Sequence, residues 1–222
     1  MNAFHQLQAK LLRVYELGGP VVAVLLFISA VTLSVVLYKL WQYRAAGVGR
    51  HRALSHAISA WDTGDRLSAQ AHLGRSKSYL APVVGMVFAA GHSAPTAVSD
   101  RVDAEAAERF AKLERGLGLL DIVAQLAPLL GLFGTVLGMI KAFQTMQDAG
   151  ASVDPSLLAG GIWVALLTTA AGLAVAMPTS LILTWFEGRM ERERVFANRV
   201  LRTAFAPQGK AKHPSAQALH GT

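Results

Sequence analysis

Three long apolar runs, separated by polar and basic segments, dominate the pattern of the chain. A helix needs about 20 predominantly apolar residues to cross roughly 30 Å of hydrocarbon. Residues 19–38, 116–143 and 157–185 meet that requirement, and no other segment does. The pattern therefore predicts an all-α membrane protein with three transmembrane helices.

The segments at the two ends of the chain have their own patterns. In residues 1–18, apolar side chains recur near helical spacing, which predicts an amphipathic helix on the outer face of the membrane. Residues 186–206 continue the pattern of the third span and predict a helical extension into the cytoplasm. Residues 207–222 are polar and contain proline and glycine, so they are predicted to be disordered.

The segment between the first two spans, residues 39–115, predicts a series of helices. One ends at the turn formed by residues 63–65, and the next ends near Leu73. Asp100 fits an N-cap, and from Arg101 the pattern predicts a helix that continues without interruption into the second span. Pairs of opposite charge four residues apart support the predicted helices. They are Glu105/Arg109, Glu108/Lys112 and Arg189/Glu193.

Basic residues are distributed unevenly among the segments that the spans separate. Two precede the first span, eleven lie in residues 39–115, one stands beside the loop at 144–156, and seven follow the third span. Basic residues are retained on the cytoplasmic side of a membrane. The distribution predicts that the N-terminus and the loop at 144–156 are periplasmic, and that residues 39–115 and the C-terminus are cytoplasmic.

Composition and charge narrow the possible functions. With 53% hydrophobic and 16% charged residues, the chain is too apolar for an ordinary soluble domain. The net charge of +7 arises in the two predicted cytoplasmic segments, where retention of basic residues accounts for it, so nucleic-acid binding is not expected. Cysteine is absent and no catalytic arrangement is present, so neither an enzyme nor a cofactor is expected. The histidines lack metal-ligand spacing and are predicted to be surface residues: His5, His51, His56, His72, His92, His213 and His220.

Small residues follow helical spacing on spans two and three. In a bilayer, helices associate where small residues let their backbones approach closely. The spacing therefore predicts a packing row on each span. The rows contain Gly131, Gly134 and Gly138 on span two, and Gly161, Ala165 and Gly172 on span three. An isolated three-helix protomer is expected to have no use for these rows, so they predict a homopentamer.

Two threonines in the same spans, Thr135 and Thr169, allow two interpretations. A threonine in a membrane helix commonly donates to a carbonyl of its own preceding turn. The alternative is that both hydroxyls face a central polar path. Periodicity does not separate the two.

Ionisable side chains inside membrane helices are costly and usually functional. Asp121 is the acidic candidate, and its position near the cytoplasmic end of span two favours a solvated or arginine-paired carboxylate over a proton relay. Lys141 lies at the opposite end of that span and can extend to the interface. Pro178 removes a backbone hydrogen bond from span three and predicts a bend there.

Two motifs in these spans carry a resemblance to a known family. The first is Ala-Pro-Leu-Leu-Gly-Leu-Phe-Gly-Thr-Val at 127–136, followed by Gly138-Met139-Ile140 and Ala142-Phe143. The second is Gly161-Ile162 with Ala-Leu-Leu-Thr-Thr-Ala-Ala-Gly-Leu at 165–173, Ala176 and Pro178. Together they resemble the MotA/TolQ/ExbB proton-channel family, and most closely its ExbB and TolQ branch.

The resemblance implies a bacterial inner-membrane subunit that forms a pentamer around a central pore. The pore would hold two helices of a smaller partner, ExbD or TolR, and proton flow past an Asp on that partner would energise TonB or the Tol/Pal system. Residue by residue, Thr135 and Thr169 correspond to the pore-lining threonines of the family.

One position departs from the family pattern. ExbB and TolQ proteins typically have Glu where this chain has Val164, beside Gly161-Ile162. A glutamate at this pore-lining position can hold a proton or a fixed charge, and valine can do neither. The departure leaves a second interpretation open, in which the chain is a non-conducting membrane scaffold of the same fold.

Overall fold

The computed structural model describes residues 2–91, 96–148 and 155–208, and helices are the regular elements of that part of the chain. Seven helices are described: α1 Asn2–Ala45, α2 Arg52–Asp62, α3 Arg66–Gly74, α4 Ala81–Ala90, α5 Thr96–Glu114, α6 Leu117–Asp148 and α7 Pro155–Phe205. They form two compact units. The membrane unit comprises Met1–Tyr38 and Gly116–Glu187, and the polar unit comprises Lys39–Arg115 and Gly188–Thr222.

Some predicted features fall outside the described residues. The predicted disordered tail does so from position 209 onward, and so do positions 149–154 of the predicted loop. Three of the histidines also lie outside the described residues, namely His92, His213 and His220.

Three helices are long and apolar enough to cross a membrane, as the sequence predicts. They are Gly19–Ala45, Leu117–Asp148 and Leu158–Phe205. The first of them is separated from the N-terminal part of α1 by Gly19, whose φ of 65° lies in the left-handed region that favours glycine. Pro20 follows directly, where its fixed φ suits the first residue of a helix. The two helical parts of α1 therefore meet at a kink. Helix α7 continues through Pro178 and through the predicted extension without a break.

The helix predicted to run unbroken from Arg101 into the second span is interrupted at Gly116. Helix α5 ends at Glu114, α6 begins at Leu117, and Gly116 has a φ of 94°. Only glycine adopts that backbone conformation without strain, so this residue separates the two helices. Asp100, predicted as an N-cap, lies inside α5.

The core of the polar unit forms around Trp61. This side chain is 2% exposed and stacks on Phe88 with ring centroids 3.9 Å apart. Its indole nitrogen donates to the Ala204 carbonyl oxygen at 2.9 Å, which joins α2 to the end of α7. Trp61 is the last of the buried residues of α2, after Leu54, Ala57 and Ile58.

A buried carboxylate, Glu193 of α7, organises a second part of this core. Its side chain is 4% exposed, and Oε2 lies 2.7 Å from His51 Nε2. The Tyr79 hydroxyl donates to the same oxygen at 3.0 Å. Burial and the Glu193 charge raise the pKa of Tyr79, so the phenol keeps its proton and remains a donor. The predicted partner Arg189 lies farther away, with Nε 3.8 Å from Oε1.

His51 is therefore not the surface residue that the sequence predicts. Its side chain is 13% exposed, its ring stacks on Phe196 at 4.2 Å, and Nδ1 lies 3.2 Å from Ser78 Oγ. The spacing of histidines along a sequence can indicate a metal site. It cannot indicate the contact between His51 and Glu193, which are 142 positions apart.

Lys39 is a second charged residue that sequence reasoning overlooked. It is fully buried, and Nζ donates to the Leu113 carbonyl oxygen at 2.7 Å and to Gln42 Oε1 at 2.8 Å. The Gln42 amide in turn donates to the Lys112 carbonyl oxygen at 3.3 Å. The last carbonyls of a helix have no partners within that helix, and here Lys39 and Gln42 supply them for α5.

Replacing Glu193 tests the buried cluster. Glu193→Ala leaves the half-buried donors of His51 and Tyr79 without their acceptor, and we expect the free energy of unfolding to fall by about 1–3 kcal/mol. The melting temperature of the detergent-solubilised protein, followed by tryptophan fluorescence, should drop by several degrees. Glu191→Ala is the matched control, because Glu191 is exposed on the same helix. Equal melting of the two variants would show that the cluster does not stabilise the polar unit.

Candidate functional site between two membrane helices

In the membrane unit, α6 and α7 come into close contact at glycines. A Cβ atom placed on Gly131 would lie 2.9 Å from the Thr168 carbonyl oxygen and 3.1 Å from the Thr169 Cα. A Cβ atom on Gly172 would lie 2.6 Å from the Ala127 carbonyl oxygen and 3.0 Å from the Gly131 Cα. The shortest of these distances, 2.9 Å at Gly131 and 2.6 Å at Gly172, are below those of real Cβ contacts, so the two backbones meet directly and no larger residue fits at either glycine without movement.

The contact continues along both helices. A Cβ atom on Gly134 would lie 2.7 Å from the Thr168 side chain, and one on Gly138 would lie 3.1 Å from the Ala165 Cβ. Gly161 faces the Ala142 Cβ in the same way. All six residues of the predicted packing rows therefore lie in a contact within one protomer. The expectation that the rows have no use inside the protomer is wrong, so they carry no argument for a pentamer.

Thr168 supplies the polar bond of this contact. The side chain is buried, with its hydroxyl 2.7 Å from the Ala165 carbonyl oxygen and 3.2 Å from the Gly131 carbonyl oxygen. Its single proton is thus shared between its own helix and α6. The sequence places Thr168 in a row of small residues but does not single it out, because a helix-joining threonine and a self-bonded one have the same spacing.

The hydroxyls of Thr169 and Thr135 approach different carbonyl oxygens. Both side chains are half-buried. The Thr169 hydroxyl lies 3.4 Å from the Gly131 carbonyl oxygen, so the Gly131 carbonyl is approached by two threonines of α7. The Thr135 hydroxyl donates at 2.6 Å to the Leu132 carbonyl oxygen of its own helix. In this protomer, Thr135 follows the self-bonded interpretation.

A cavity of about 540 Å³ borders one edge of the α6–α7 contact. Its lining includes Val21 of α1, Leu137 and Lys141 of α6, and Val164 and Thr168 of α7. Lys141 is the charged residue among its described lining residues. The position where the family resemblance implies Glu is thus a half-buried valine on the wall of a cavity.

The two threonines lie on the edge opposite this cavity. Successive residues of a helix are rotated by about 100°. Thr135 is therefore about 160° around α6 from Leu137, and Thr169 is about 140° around α7 from Val164. Because Leu137 and Val164 line the cavity, Thr135 and Thr169 share the other edge of the contact, which we call the threonine edge. The structure thus brings these two together and separates both from Val164.

Asp121, the acidic candidate from the sequence, is not part of the contact between α6 and α7. It is exposed, and its Oδ1 accepts a hydrogen bond from the Gln125 amide at 2.7 Å. Among the described residues, no group of three or more His, Cys, Asp or Glu side chains is placed to hold a metal ion. The contact between α6 and α7 therefore offers hydroxyls and backbone carbonyls, without a fixed charge, for any chemistry inside the membrane.

The comparisons with known proteins find the same family that the sequence motifs indicate. The model of the MotA/TolQ/ExbB proton channel family matches residues 79–197. The biopolymer transport protein exbB1 of Vibrio cholerae is 29% identical over 86% of this chain and 84% of its own length. The Tol-Pal system protein TolQ of Pseudomonas aeruginosa is 40% identical over 36% of this chain and 34% of its own length. An ExbB homologue of Methanothermobacter thermautotrophicus is 27% identical over 82% of this chain, which spans 64% of that relative's length.

Adding one methyl group to Gly131 tests the backbone contact. The new Cβ of Gly131→Ala would meet the Thr168 carbonyl oxygen, which is backbone and cannot swing aside. We expect a loss of about 1–3 kcal/mol in stability, typical of overpacking. Gly118→Ala is the matched control on α6, because its Cβ would meet nothing within 4 Å. Alanine there should be neutral or stabilising by up to about 1 kcal/mol. Thermal unfolding in detergent measures both, and a stable Gly131→Ala would contradict the close contact.

Proposed function

Because the chain belongs to the MotA/TolQ/ExbB proton channel family, we propose that it is a motor subunit of the ExbB/TolQ type in the bacterial inner membrane. In this function it couples the proton motive force to outer-membrane transport or to a Tol-type envelope process. The family match over residues 79–197, which includes all of α6 and most of α7, carries the proposal.

The proposed subunit works as a homopentamer around a central pore. The pore holds two helices of an ExbD- or TolR-like partner, each copy of which has one span and an aspartate inside the membrane. A TonB-like protein or Tol/Pal components then receive the movement. Large apolar side chains exposed on α6 and α7 give the protomer surfaces that suit neighbouring helices or lipid, among them Phe133, Trp163 and Leu166.

The threonine edge is proposed to face the conducting path. Within each protomer, Thr135 and Thr169 lie on one side of the α6–α7 contact, and repetition around a pentamer would produce rings of hydroxyls. A proton that leaves the partner's aspartate needs hydroxyls or bound water along its way, because apolar side chains solvate it poorly. The Gly131–Thr168 contact holds the two helices so that these hydroxyls stay on the same edge.

The family resemblance implies that Val164 lines the pore, but the path proposed here follows the threonine edge and does not include Val164. In the protomer it lines the cavity on the opposite edge. Without a carboxylate at this position, the partner's aspartate would be the titrating group of the path, and this subunit would contribute hydroxyls alone.

The proposed orientation follows from the basic residues. The polar unit contains eleven Lys and Arg in residues 39–115 and lies in the cytoplasm, together with the end of α7. The end of the membrane unit at which α6 stops and α7 starts is then periplasmic.

A non-conducting scaffold of the same fold is the alternative, and Val164 favours it. The two functions differ in their partners, since a scaffold has no need of a single-span protein with a membrane aspartate.

Assembly with a partner is the first test of the proposal. We expect the tagged chain, extracted in mild detergent, to appear in native mass spectra as five copies and to retain a single-span protein with an aspartate in its membrane helix. The exposed apolar surfaces of α6 and α7 provide the reason for association. A homo-oligomer without any such partner would support the scaffold, and monomers in several mild detergents would contradict the pentamer.

Removing the hydroxyls of the threonine edge tests the path. Thr135→Val/Thr169→Val keeps the side-chain shape, and we expect energised transport in cells to fall at least about tenfold while assembly persists, because each lost polar group leaves the proton without a stabilising partner. Thr184→Val is the control, since its hydroxyl is exposed and donates to the Ser180 carbonyl of its own helix. Wild-type transport in the double variant, with the partner present, would refute the assignment of the path.

A further inference from the structure

We propose that the cavity between α1, α6 and α7 binds one anionic phospholipid, with its phosphate at Lys141 and the upper part of one acyl chain along the cavity. The cavity lies in the membrane unit and has a volume of about 540 Å³. That size is within the usual range of pockets for small ligands. This inference depends only on the membrane location of the chain and does not require conduction.

The chemistry of the lining changes along the cavity. At the end where α6 stops, the cavity is bordered by the Lys141 side chain and by Thr145, whose hydroxyl donates to the Lys141 carbonyl oxygen at 3.0 Å. Deeper positions are apolar or small, namely Leu137, Gly138 and Val164. The cavity therefore has one cationic end and an apolar interior, which matches a phospholipid in both parts.

The dimensions fit the same ligand. Seven residues separate Lys141 from Gly134, the deepest lining position on α6, and correspond to about 10 Å along the helix. Gly134 and Gly138 are closed by their contacts with α7, so the open length runs beside Leu137, between the walls formed by Val21 and Val164. An acyl chain lying there would run parallel to the helices, as lipid chains do in a bilayer.

Charge selects an anionic lipid over a neutral one. Lys141 is exposed at the end of a membrane span, where its ammonium group can reach the level of the headgroups. Among the described residues that line the cavity, Lys141 is the charged one, and none of them is a carboxylate. Basic pockets between membrane helices bind lipid headgroups for this reason, and one lysine near the surface contributes about 1 kcal/mol.

The partner's helix fits this cavity less well than a lipid does. In the proposed assembly the conducting path lies on the threonine edge, and the cavity lies on the opposite edge of the α6–α7 contact. It is also bordered by α1, beginning at Gly19 and Pro20, which narrows it at the membrane surface.

Native mass spectrometry of the full chain, stripped of lipid in neutral detergent and without any partner, tests the proposal. The protein is titrated with phosphatidylglycerol, with phosphatidylcholine of the same acyl chains, and with glycerol phosphate, which has no acyl chain. We expect one phosphatidylglycerol per protomer, bound about fivefold more tightly than phosphatidylcholine, and no binding of glycerol phosphate. Equal binding of the two lipids would overturn the role of Lys141, and binding of glycerol phosphate would identify a phosphate site instead.

Two variants locate the site. Lys141→Gln should reduce the preference for phosphatidylglycerol to about one, whereas Lys77→Gln removes the same charge from an exposed position in the polar unit and should leave the preference unchanged. Val164→Phe fills the cavity and should weaken binding of both lipids. As a second readout on the wild-type chain, a photoreactive phosphatidylglycerol should crosslink to residues 137–145. Equal preferences in the two lysine variants, or crosslinks only elsewhere, would contradict the proposal.

Discussion

The direct backbone contact between α6 and α7 is the constraint on which the membrane unit depends. Lipid chains are as apolar as leucine, so two membrane helices gain little from burying apolar side chains against each other. Here they meet where Gly131 and Gly172 remove the side chains altogether, and Thr168 shares its proton with the Gly131 carbonyl. Dispersion contacts and the approach of the Thr168 and Thr169 hydroxyls to the Gly131 carbonyl thus replace the hydrophobic effect as the stabilising interaction.

That contact also decides what lies on either side of it. A glycine seam holds each helix in one rotation, because turning either helix would bring a side chain into the backbone of the other. The seam therefore places Thr135 and Thr169 on one edge and Val164 with Lys141 on the other. In the proposed function, the first edge serves the proton path and the second binds lipid.

The polar unit is stabilised by the opposite kind of interaction. It buries the aromatic side chains of Trp61 and Phe88, which is favourable for a unit in water, and its buried charges need full pairing. Glu193 accepts from Tyr79 and contacts His51, and Lys39 donates to the last carbonyls of α5. Helix α7 contributes to both units, with Thr169 in the first and Glu193 in the second.

Much of the fold could be predicted because its signals are local. Apolar length predicts the three spans, and opposite charges at i, i+4 predict Glu105/Arg109 and Glu108/Lys112, which the structure confirms at 2.7 and 2.6 Å. The break at Gly116 was missed because a glycine inside a helical pattern does not reveal its φ. The roles of His51, Lys39 and Thr168 were missed because their partners are distant in sequence. The small-residue rows lie in the contact between α6 and α7 of one protomer, and spacing could not tell whether they pack within a protomer or between protomers.

Proton flux in proteoliposomes tests the central claim most directly. The purified chain is reconstituted alone or with its co-purified single-span partner, a membrane potential is imposed, and an internal pH-sensitive dye reports proton entry. The account predicts flux with both proteins present, a return to background when the partner's membrane aspartate is replaced by asparagine, and no flux from the chain alone. Background flux in a correctly assembled complex, or equal flux without the partner, would contradict it.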